Sequence, residues 1–194
     1  MSKQLISKFF GKNIKLHVGC GTLYKDGWVN IDNNSDNNIE KLDVNHDLSK
    51  GLPFEDEQVD FIYHEHFIEH LSYEDGLLFF KECFRVLKFG GVMRIACPDL
   101  DQLLQTYLQD NWREQEWVTK YNCQWIESKG QMLNICMSFW GHKFIYNKQD
   151  IQRRLHQAGF NLDDITFTKF GESSYPELCG LDTRADSMFV DIKK

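Results

Sequence analysis

Short apolar runs recur along this chain, and most of them end at a glycine, an aspartate or a proline. The first run, IKLHV at 14–18, stops at Gly19-Cys20-Gly21, and the second, at 28–31, is followed by Asp32. Runs of this length bounded by turn residues are typical of buried β-strands. The further runs predicted as strands span 39–44, 59–63, 92–96, 164–170 and 187–192.

Two helices are predicted between these strands. Residues 73–88 carry apolar side chains at helical spacing and begin with Ser72 and Asp75 in the pattern of a capping box. A second amphipathic helix is predicted over 148–158. Strands that alternate with helices favour an α/β fold with a mostly parallel sheet. The last two strands leave no room for a helix between them, so they are expected to pair antiparallel.

Composition limits the classes of function. With 194 residues, of which 42% are hydrophobic, the chain suits one globular domain over 1–194. A net charge of −7 argues against nucleic acid as a partner. Six cysteines without a C-x-x-C pair indicate reduced thiols and a cytoplasmic protein. The apolar stretch in the first residues, MSKQLISKFFGKN, is too short for a signal sequence. No apolar run is long enough to predict membrane insertion.

The glycine turn after the first strand is a candidate ligand site. In open α/β sheets, ligands bind beyond the carboxyl ends of the strands, and glycine lets the backbone approach them closely. Asp32 follows the next strand, where its carboxylate can accept the hydroxyls of a ribose. The dinucleotide fingerprint is not met, because Tyr24 stands in place of its third glycine. Taken alone, the G-x-G also fits an ordinary turn.

Several longer stretches together resemble class I S-adenosylmethionine-dependent methyltransferases, and in particular a small bacterial branch associated with surface-polysaccharide gene clusters. The stretches that carry the resemblance are LHVGCG, GWVNID, HDLSKGLPFEDEQVDFIYHEHFIEHL, FRVLKFGGVMRIACPDL and GHKFIYNKQDIQRRLHQAGF. The resemblance implies a Rossmann-like α/β fold: a seven-stranded, mostly parallel sheet with an antiparallel last strand and helices on both faces. Ten residues separate Gly21 from Asp32, so the first crossover is predicted to be shortened.

The same resemblance implies S-adenosyl-L-methionine as the cofactor. Asp32 would bind its ribose, Asp47 its adenine amino group, and Leu48 would lie beside the adenine. His64 would line the floor near the sulfonium. The residues expected to contact the cofactor are Val18, Gly19, Cys20, Gly21, Asp32, Asp47, Leu48 and His64.

The stretch YHEHFIEHL at 63–71 fits two different chemistries. His66, Glu69 and His70 spell H-x-x-E-H, an inverted zinc-peptidase pattern, which needs both histidines on one helix face and a third ligand. His142 and Glu172 are the third ligands that the sequence offers, and neither is close in sequence. No metal is therefore assigned, and a zinc hydrolase is kept as a remote alternative.

The second chemistry is general base catalysis at the carboxyl end of the fourth strand. Histidine titrates near neutral pH, so His64 or His66 is the candidate base for a hydroxyl acceptor, with His142 as a further candidate. A purely structural role fits each of the three as well.

The acceptor side is predicted from aromatic content. Residues 101–146 hold four of the five tryptophans and are interpreted as an acceptor-side lid, although such clusters also simply pack. The candidate acceptor contacts are Glu65, Asp99, Trp140 and Arg184.

Two functions of different classes follow from these observations. The first is a methyltransferase that acts on a small polar acceptor, such as a hydroxyl or amine of a sugar or glycan precursor. The second is a cofactor-binding module without catalysis, which the shortened first crossover favours. The sequence leaves the oligomeric state open.

Overall fold

The protein, represented by a computed structural model that describes residues 13–33 and 41–194, is built on one seven-stranded sheet. The strand order is β3-β2-β1-β4-β5-β7-β6, and β7 runs antiparallel to both of its neighbours while the other pairs are parallel. This confirms the predicted Rossmann-like sheet with an antiparallel last strand. The strands are β1 (Lys15–Val18), β2 (Val29–Asp32), β3 (Val44–Asn45), β4 (Val59–Glu65), β5 (Leu87–Pro98), β6 (Ile165–Thr168) and β7 (Ser187–Lys193).

The strand order determines where a ligand can bind. Chain order reverses between β1 and β4, which are neighbours in the sheet. In sheets of this type, the crevice beyond the carboxyl ends of the strands at this reversal is the usual ligand site. The glycine turn follows β1 and the YHEHFIEHL stretch begins within β4, so both reach this crevice.

Two of the described helices pack against one face of the sheet. The helices are α1 (Tyr73–Val86), α2 (Leu100–Gln109), α3 (Glu116–Lys120), α4 (Lys129–Ser138) and α5 (Lys148–Ala158). The buried residues of α1 and α5 belong to the same apolar core as those of the strands. Both predicted helices are confirmed, and Ser72 caps α1 by accepting a hydrogen bond from the Asp75 amide.

Several predicted boundaries differ from the structure by a few residues, and two of the differences are informative. The chain leaves α1 directly into β5, which begins at Leu87 and includes Gly90 and Gly91, so these glycines do not end the helix. The strand predicted over 39–44 is a two-residue strand, Val44–Asn45. Its first two predicted residues, at 39 and 40, lie outside the described part of the chain.

The opposite face of the sheet carries a row of buried polar residues in register across five strands. Asn30, His17, Tyr63, Arg94 and Asp191 are successive cross-strand partners. Each is at most 6% exposed. Buried polar groups need hydrogen-bond partners. Residues of this row bond to one another and to the chain segment that lies over this face.

That segment, residues 169–182, lies over this face of the sheet, and the described first crossover contains no helix. Residues 19–28 form turns, as the shortened crossover predicted. Arg94 holds the covering segment through a bidentate contact with Asp182, at 2.9 and 2.6 Å, and also donates to Asp191 at 2.7 Å. Burial lowers the pKa of Arg94, but its hydrogen bonds to the carboxylates of Asp182 and Asp191 outweigh burial and raise the pKa overall. Leu178, which belongs to this segment, is buried in one apolar cluster with Tyr63 of the sheet.

Residues 100–141 form a small helical unit with a core of its own. Trp112, Val118, Ile126 and Met132 are among its buried residues. Trp140, at the end of this unit, is 44% exposed. Some aromatic residues of the predicted lid therefore pack in this core and others remain on the surface, and the acceptor-side role of the lid stays a prediction.

None of the helices in residues 13–33 and 41–194 combines the length and apolar character that a membrane crossing requires. All six cysteines are free thiols in the structure.

The Asp182→Asn variant tests the fastening of the covering segment. Removing one charge from a buried, hydrogen-bonded pair leaves the guanidinium undercompensated, so we expect the free energy of unfolding to fall by about 3–5 kcal/mol in urea titrations. Arg153→Gln is the control, because Arg153 is 51% exposed in its pair with Asp150 and exposed pairs contribute about 0–1 kcal/mol. Equal losses in the two variants would contradict this account.

Candidate functional site

The glycine turn after β1 is fastened directly to the end of β2. Gly19 and Gly21 have positive φ angles of 63° and 51°, a region in which side chains are strained. The Gly19 amide donates to the carbonyl of Ile31 at 2.9 Å, and the Gly21 amide donates to the Asp32 carboxylate at 2.7 Å. The turn therefore presents backbone, without side chains, beside a carboxylate.

The space around the two glycines differs in a way that bears on ligand binding. A Cβ on Gly19 would lie 2.3 Å from the ring of Phe67, so this position requires glycine for packing. A Cβ on Gly21 would meet no atom within 4 Å. The open space thus lies at Gly21, next to Asp32, whose carboxylate oxygens each keep a further lone pair for a ligand hydroxyl. These features fit the ribose end of an adenosyl group.

The other residues predicted to contact the cofactor are either buried or engaged in local hydrogen bonds. Val18 is buried in the core, and burial together with the charge of Asp32 raises the pKa of the Cys20 thiol to about 12, which keeps it protonated. Asp47 caps a short 3₁₀ turn at 48–50, where its carboxylate accepts from the amide and hydroxyl of Ser49. Leu48 is buried beside it. No ligand tests these assignments, which stay predictions.

A cleft of about 640 Å³ lies beside the stretch that follows β4, away from the glycine turn. It is bounded by the ends of β4 and β5, the segment before β7 and the helical unit 100–141. The residues that line it include His66, His70, Asp99, Gln102, Trp117, Tyr121, Trp140, His142, Arg184 and Asp186. Gly19, Gly21 and Asp32 do not line this cleft. The cleft is therefore distinct from the crevice beside the glycine turn and Asp32.

His66 lies on the wall of this cleft in an unusual conformation. Its φ angle is 48°, which costs free energy in a residue other than glycine and is frequent at functional positions. Its Nε2 lies 2.9 Å from the Ser187 hydroxyl and its Nδ1 lies 3.1 Å from Glu69 Oε1. Two neighbours thus fix the imidazole at the cleft. Ser187 was missed from the sequence, because it is far away along the chain and belongs to no motif.

Glu69 is fully buried behind the cleft. His66 Nδ1 lies 3.1 Å from its Oε1, while Oε2 has no hydrogen-bond partner within the described part of the protein. Burial raises the pKa of Glu69, but the nearby His66, with a smaller effect from His70, lowers it overall, so the carboxylate is ionised. A buried carboxylate oxygen without a donor is costly and calls for a physical explanation.

The structure contradicts the helical geometry that the remote zinc-peptidase interpretation requires. Within 66–70, only Ile68–His70 is helical, as a 3₁₀ turn, and His66 precedes it with a positive φ angle. His66 contacts Ser187, whereas the His70 ring lies 5.0 Å from the ring of His142. The two histidines of H-x-x-E-H therefore do not share a helix face.

His142, proposed as a further base, is held at the cleft by backbone contacts. Its Nδ1 lies 2.7 Å from the carbonyl of Cys136, and the next two amides, of Lys143 and Phe144, donate to the carbonyl of Glu69. Burial lowers the pKa of its neighbour His70, and His142 contributes in the same direction.

His64 lies in the apolar core instead of at the cleft. It is fully buried, neither ring nitrogen has a hydrogen-bond partner within the described residues, and burial lowers its pKa to about 3. Its ring lies 5.3 Å from that of Phe79 and 6.0 Å from that of Phe67, the residue that packs on Gly19. A neutral imidazole in this position is poorly placed to accept a proton from a substrate in the cleft.

Three of the four candidate acceptor contacts line the cleft. Asp99 also caps α2, Trp140 packs edge-on against Trp117, and the Arg184 guanidinium lies over the ring of Tyr121. Glu65 is engaged elsewhere, because its carboxylate accepts hydrogen bonds from the Thr183 amide and hydroxyl and from the Arg184 amide. Glu65 thus positions the segment that carries Arg184.

Comparison with known proteins agrees with this geometry. Residues 26–95 match the family described as "Methyltransferase domain". A solved SAM dependent methyltransferase from Archaeoglobus fulgidus has a TM-score of 0.56 at 17% identity, over 99% of this chain and 90% of that one. The chain has the Rossmann-like fold of methyltransferases. A second solved structure of this fold, PigF with SAH, has a TM-score of 0.52 at 14% identity, over 94% of this chain and 50% of that one.

One curated relative matches a shorter part of the methyltransferase fold. It is named "Probable S-adenosylmethionine-dependent methyltransferase" from Mycolicibacterium smegmatis and is 39% identical over 59 residues. The match spans 30% of this chain and about a fifth, 22%, of that protein's length. Together the comparisons support methyl transfer as the class of activity and S-adenosylmethionine as the cofactor.

The two buried histidines predict acid sensitivity of the methyltransferase fold. Burial lowers the pKa of His17 to about 4 and that of His64 to about 3, from an ordinary 6.5. Below pH 6.5 these histidines therefore bind protons in the unfolded chain but stay neutral in the folded chain. The free energy of unfolding falls as the pH decreases. Each group contributes about 1.4 kcal/mol per pH unit in this window.

The His64→Leu variant isolates one of these contributions. We expect unfolding free energies measured between pH 7.5 and 5 to fall less steeply than in the wild type, by about 1.4 kcal/mol per unit below pH 6.5. At pH 7.5 the variant should be at least as stable, because an unpartnered polar group has been removed. Identical slopes in the two proteins would show that His64 is not held neutral.

Proposed function

We propose that the protein transfers a methyl group from S-adenosylmethionine to a hydroxyl or amine of a small polar acceptor, such as a sugar or glycan precursor. The observation that carries the proposal is the adjacency of Phe67 and His66. Phe67 packs on the glycine turn, and His66 lines the acceptor cleft. One step along the backbone therefore joins the cofactor side to the acceptor side.

Residues on the cofactor side have defined tasks in this proposal. S-adenosylmethionine supplies a methyl group activated by the positive sulfur. Asp32 binds the ribose hydroxyls, the glycine turn admits the ligand close to the backbone, and Asp47 with Leu48 receives the adenine. Because the methyl carbon is already activated, the protein gains most from aligning the two reactants, which is worth about 7–11 kcal/mol in favourable intramolecular cases.

On the acceptor side, His66 takes the proton from the acceptor. We assign the proton of the neutral His66 ring to Nδ1, which faces Glu69, because an ionised carboxylate accepts hydrogen bonds and does not donate them. Nε2 then carries the lone pair, and the Ser187 hydroxyl that contacts it can rotate away from an incoming acceptor hydroxyl. The acceptor oxygen would form its bond to the methyl carbon as the carbon–sulfur bond breaks and S-adenosylhomocysteine leaves, and the acceptor proton would pass to Nε2. Glu69 stabilises the resulting imidazolium.

The acceptor class is inferred from the lining of the cleft. Trp117 and Trp140 offer aromatic faces, and Asp99, Gln102 and Arg184 offer hydrogen-bonding groups around them. This mixture suits a polyhydroxylated ring, which presents both an apolar face and hydroxyl groups. The guanidinium of Arg184 suits an anionic group on the same acceptor.

Paired glycine variants test the cofactor side. Gly21 and Gly27 both have positive φ angles, 51° and 76°, and a Cβ on either meets nothing within 4 Å. Each change to Ala should cost about 1–2 kcal/mol of stability through the same backbone strain. We expect only Gly21→Ala to weaken binding of S-adenosylhomocysteine, by at least tenfold in calorimetric titration. Equal affinity of the two variants would contradict the assignment of the turn.

A second experiment tests His66 and separates catalysis from binding alone. The wild type and His66→Asn are assayed for transfer of radiolabelled methyl to a panel of nucleotide-linked sugars and simple glycosides. We expect transfer by the wild type and a loss of about 10²–10⁴-fold in kcat for His66→Asn, the usual contribution of a general base. Affinity for S-adenosylhomocysteine should stay unchanged.

Cofactor binding without transfer to any acceptor would instead support the silent binding module. Full activity of His66→Asn would remove His66 from the mechanism while leaving methyl transfer in place.

A further inference from the structure

A second set of donor atoms meets at the inner wall of the acceptor cleft. One ligand atom each from Glu69, His70 and His142 can be chosen so that all lie within 4.8 Å of one another. His70 and His142 line the cleft, and Glu69 is buried directly behind them. The three residues are distant in sequence, because His142 follows the 100–141 helical unit whereas Glu69 and His70 precede it.

The hydrogen bonding of His142 leaves one nitrogen free to bind a ligand. Its Nδ1 lies 2.7 Å from the carbonyl of Cys136, and a carbonyl accepts hydrogen bonds, so Nδ1 carries the proton. Nε2 is then the nitrogen with a lone pair. A backbone carbonyl that fixes the tautomer in this way is the usual outer contact of a histidine bound to a metal.

Glu69 supplies the second independent observation. Its side chain is 0% exposed, and Oε2 has no hydrogen-bond partner within the described residues. His66 lies 3.1 Å from Oε1, which leaves Oε2 without an ion-pair partner among those residues. A buried anionic oxygen of this kind is strongly unfavourable unless a cation or a donor joins it.

The backbone holds the three side chains in this relation before any ligand arrives. The amides of Lys143 and Phe144 both donate to the carbonyl of Glu69, at 2.8 and 3.2 Å. The turn that carries His142 is therefore fixed to the turn that carries Glu69 and His70. Metal ligands lie about 2.0–2.2 Å from zinc, so donor atoms within 4.8 Å of one another need to move only a short distance to share an ion.

We propose that Glu69, His70 and His142 bind one divalent transition-metal ion of the zinc type at the wall of the acceptor cleft. Two imidazoles and a carboxylate suit Zn²⁺ or Fe²⁺, whereas Mg²⁺ prefers oxygen ligands throughout. Three protein ligands leave at least one coordination position facing the cleft. The site shares Glu69 and His70 with the H-x-x-E-H pattern, but Glu69 is a ligand in it and His66 is not.

The task of the ion rests on the proposed function. An acceptor hydroxyl that occupies the open position would be held beside His66, and the positive ion would lower the pKa of that hydroxyl. Ion binding itself does not depend on methyl transfer, so the two proposals fail separately.

The test uses the full chain after dialysis against a chelator. Zn²⁺ and Mg²⁺ are titrated by calorimetry, and Co²⁺ binding is followed by visible absorption, which separates imidazole from thiolate ligands. We expect one equivalent of Zn²⁺, no Mg²⁺ binding, and a Co²⁺ spectrum without thiolate charge transfer. In His70→Ala and in His142→Asn the affinity for Zn²⁺ should fall at least tenfold.

The choice of variants keeps the result interpretable. Asn at position 142 can still donate to the carbonyl of Cys136 but lacks the Nε2 ligand. His156→Ala is the matched control, because His156 is exposed on α5 and should leave Zn²⁺ affinity unchanged. Circular dichroism and S-adenosylhomocysteine titration are run on the same samples to establish that each variant folds.

Absence of Zn²⁺ binding by the wild type, or equal Zn²⁺ affinity in the wild type, His70→Ala and His142→Asn, would overturn the metal site. If S-adenosylhomocysteine still binds in that case, the proposed methyltransferase function stands. Zn²⁺ binding that depends on His70 and His142, without any cofactor binding, would support the metal site and overturn the proposed function.

Discussion

The short link between β1 and β2 is the constraint on which the rest of the structure depends. Parallel neighbours usually need a crossover of a dozen residues or more, and residues 19–28 are fewer. Side-chain hydrogen bonds replace the missing helix. The side-chain amide of Asn30 accepts from the Lys25 backbone amide and donates to the carbonyls of Lys25 and Trp28, which ties the link to the sheet.

Two consequences follow from this link. The glycine turn has no helix behind it and is fastened to β2 through Ile31 and Asp32, so its geometry is determined by the sheet itself. The sheet face that a crossover helix would cover is left to the segment before β7. That segment is secured by buried polar contacts from Arg94 and then continues to Arg184 at the cleft. The covering of the fold and part of the cleft wall are therefore built from one stretch of chain.

Much of the fold was predictable because the signals are local. Strand and helix periodicity, the capping box at Ser72, the glycine turn and Asp32 all depend on neighbours within a few residues. The end of α1 was predicted wrongly, because Gly90 and Gly91 stop a helix as readily as they enter a strand that has neighbours to pair with.

The candidate site was less predictable because its contacts are distant in sequence. Ser187 contacts His66 although 121 positions separate them in the sequence. His142 contacts His70 although the whole 100–141 unit lies between them along the chain. The positive φ angle of His66 breaks the helical spacing that H-x-x-E-H implies, and no pattern of residue types indicates it. Burial of His64 under Phe67 and Phe79 likewise depends on packing that the sequence does not display.

The central claim is that the crevice between the glycine turn and Asp32 holds the adenosyl group. Amide spectra of protein labelled with ¹⁵N in its 13 glycines, recorded during titration with S-adenosylhomocysteine, test it most directly. The account predicts that the Gly19 and Gly21 resonances move with saturation while those of Gly159 and Gly171 stay in place. Saturable movement confined to other glycines, or none at all, would contradict it.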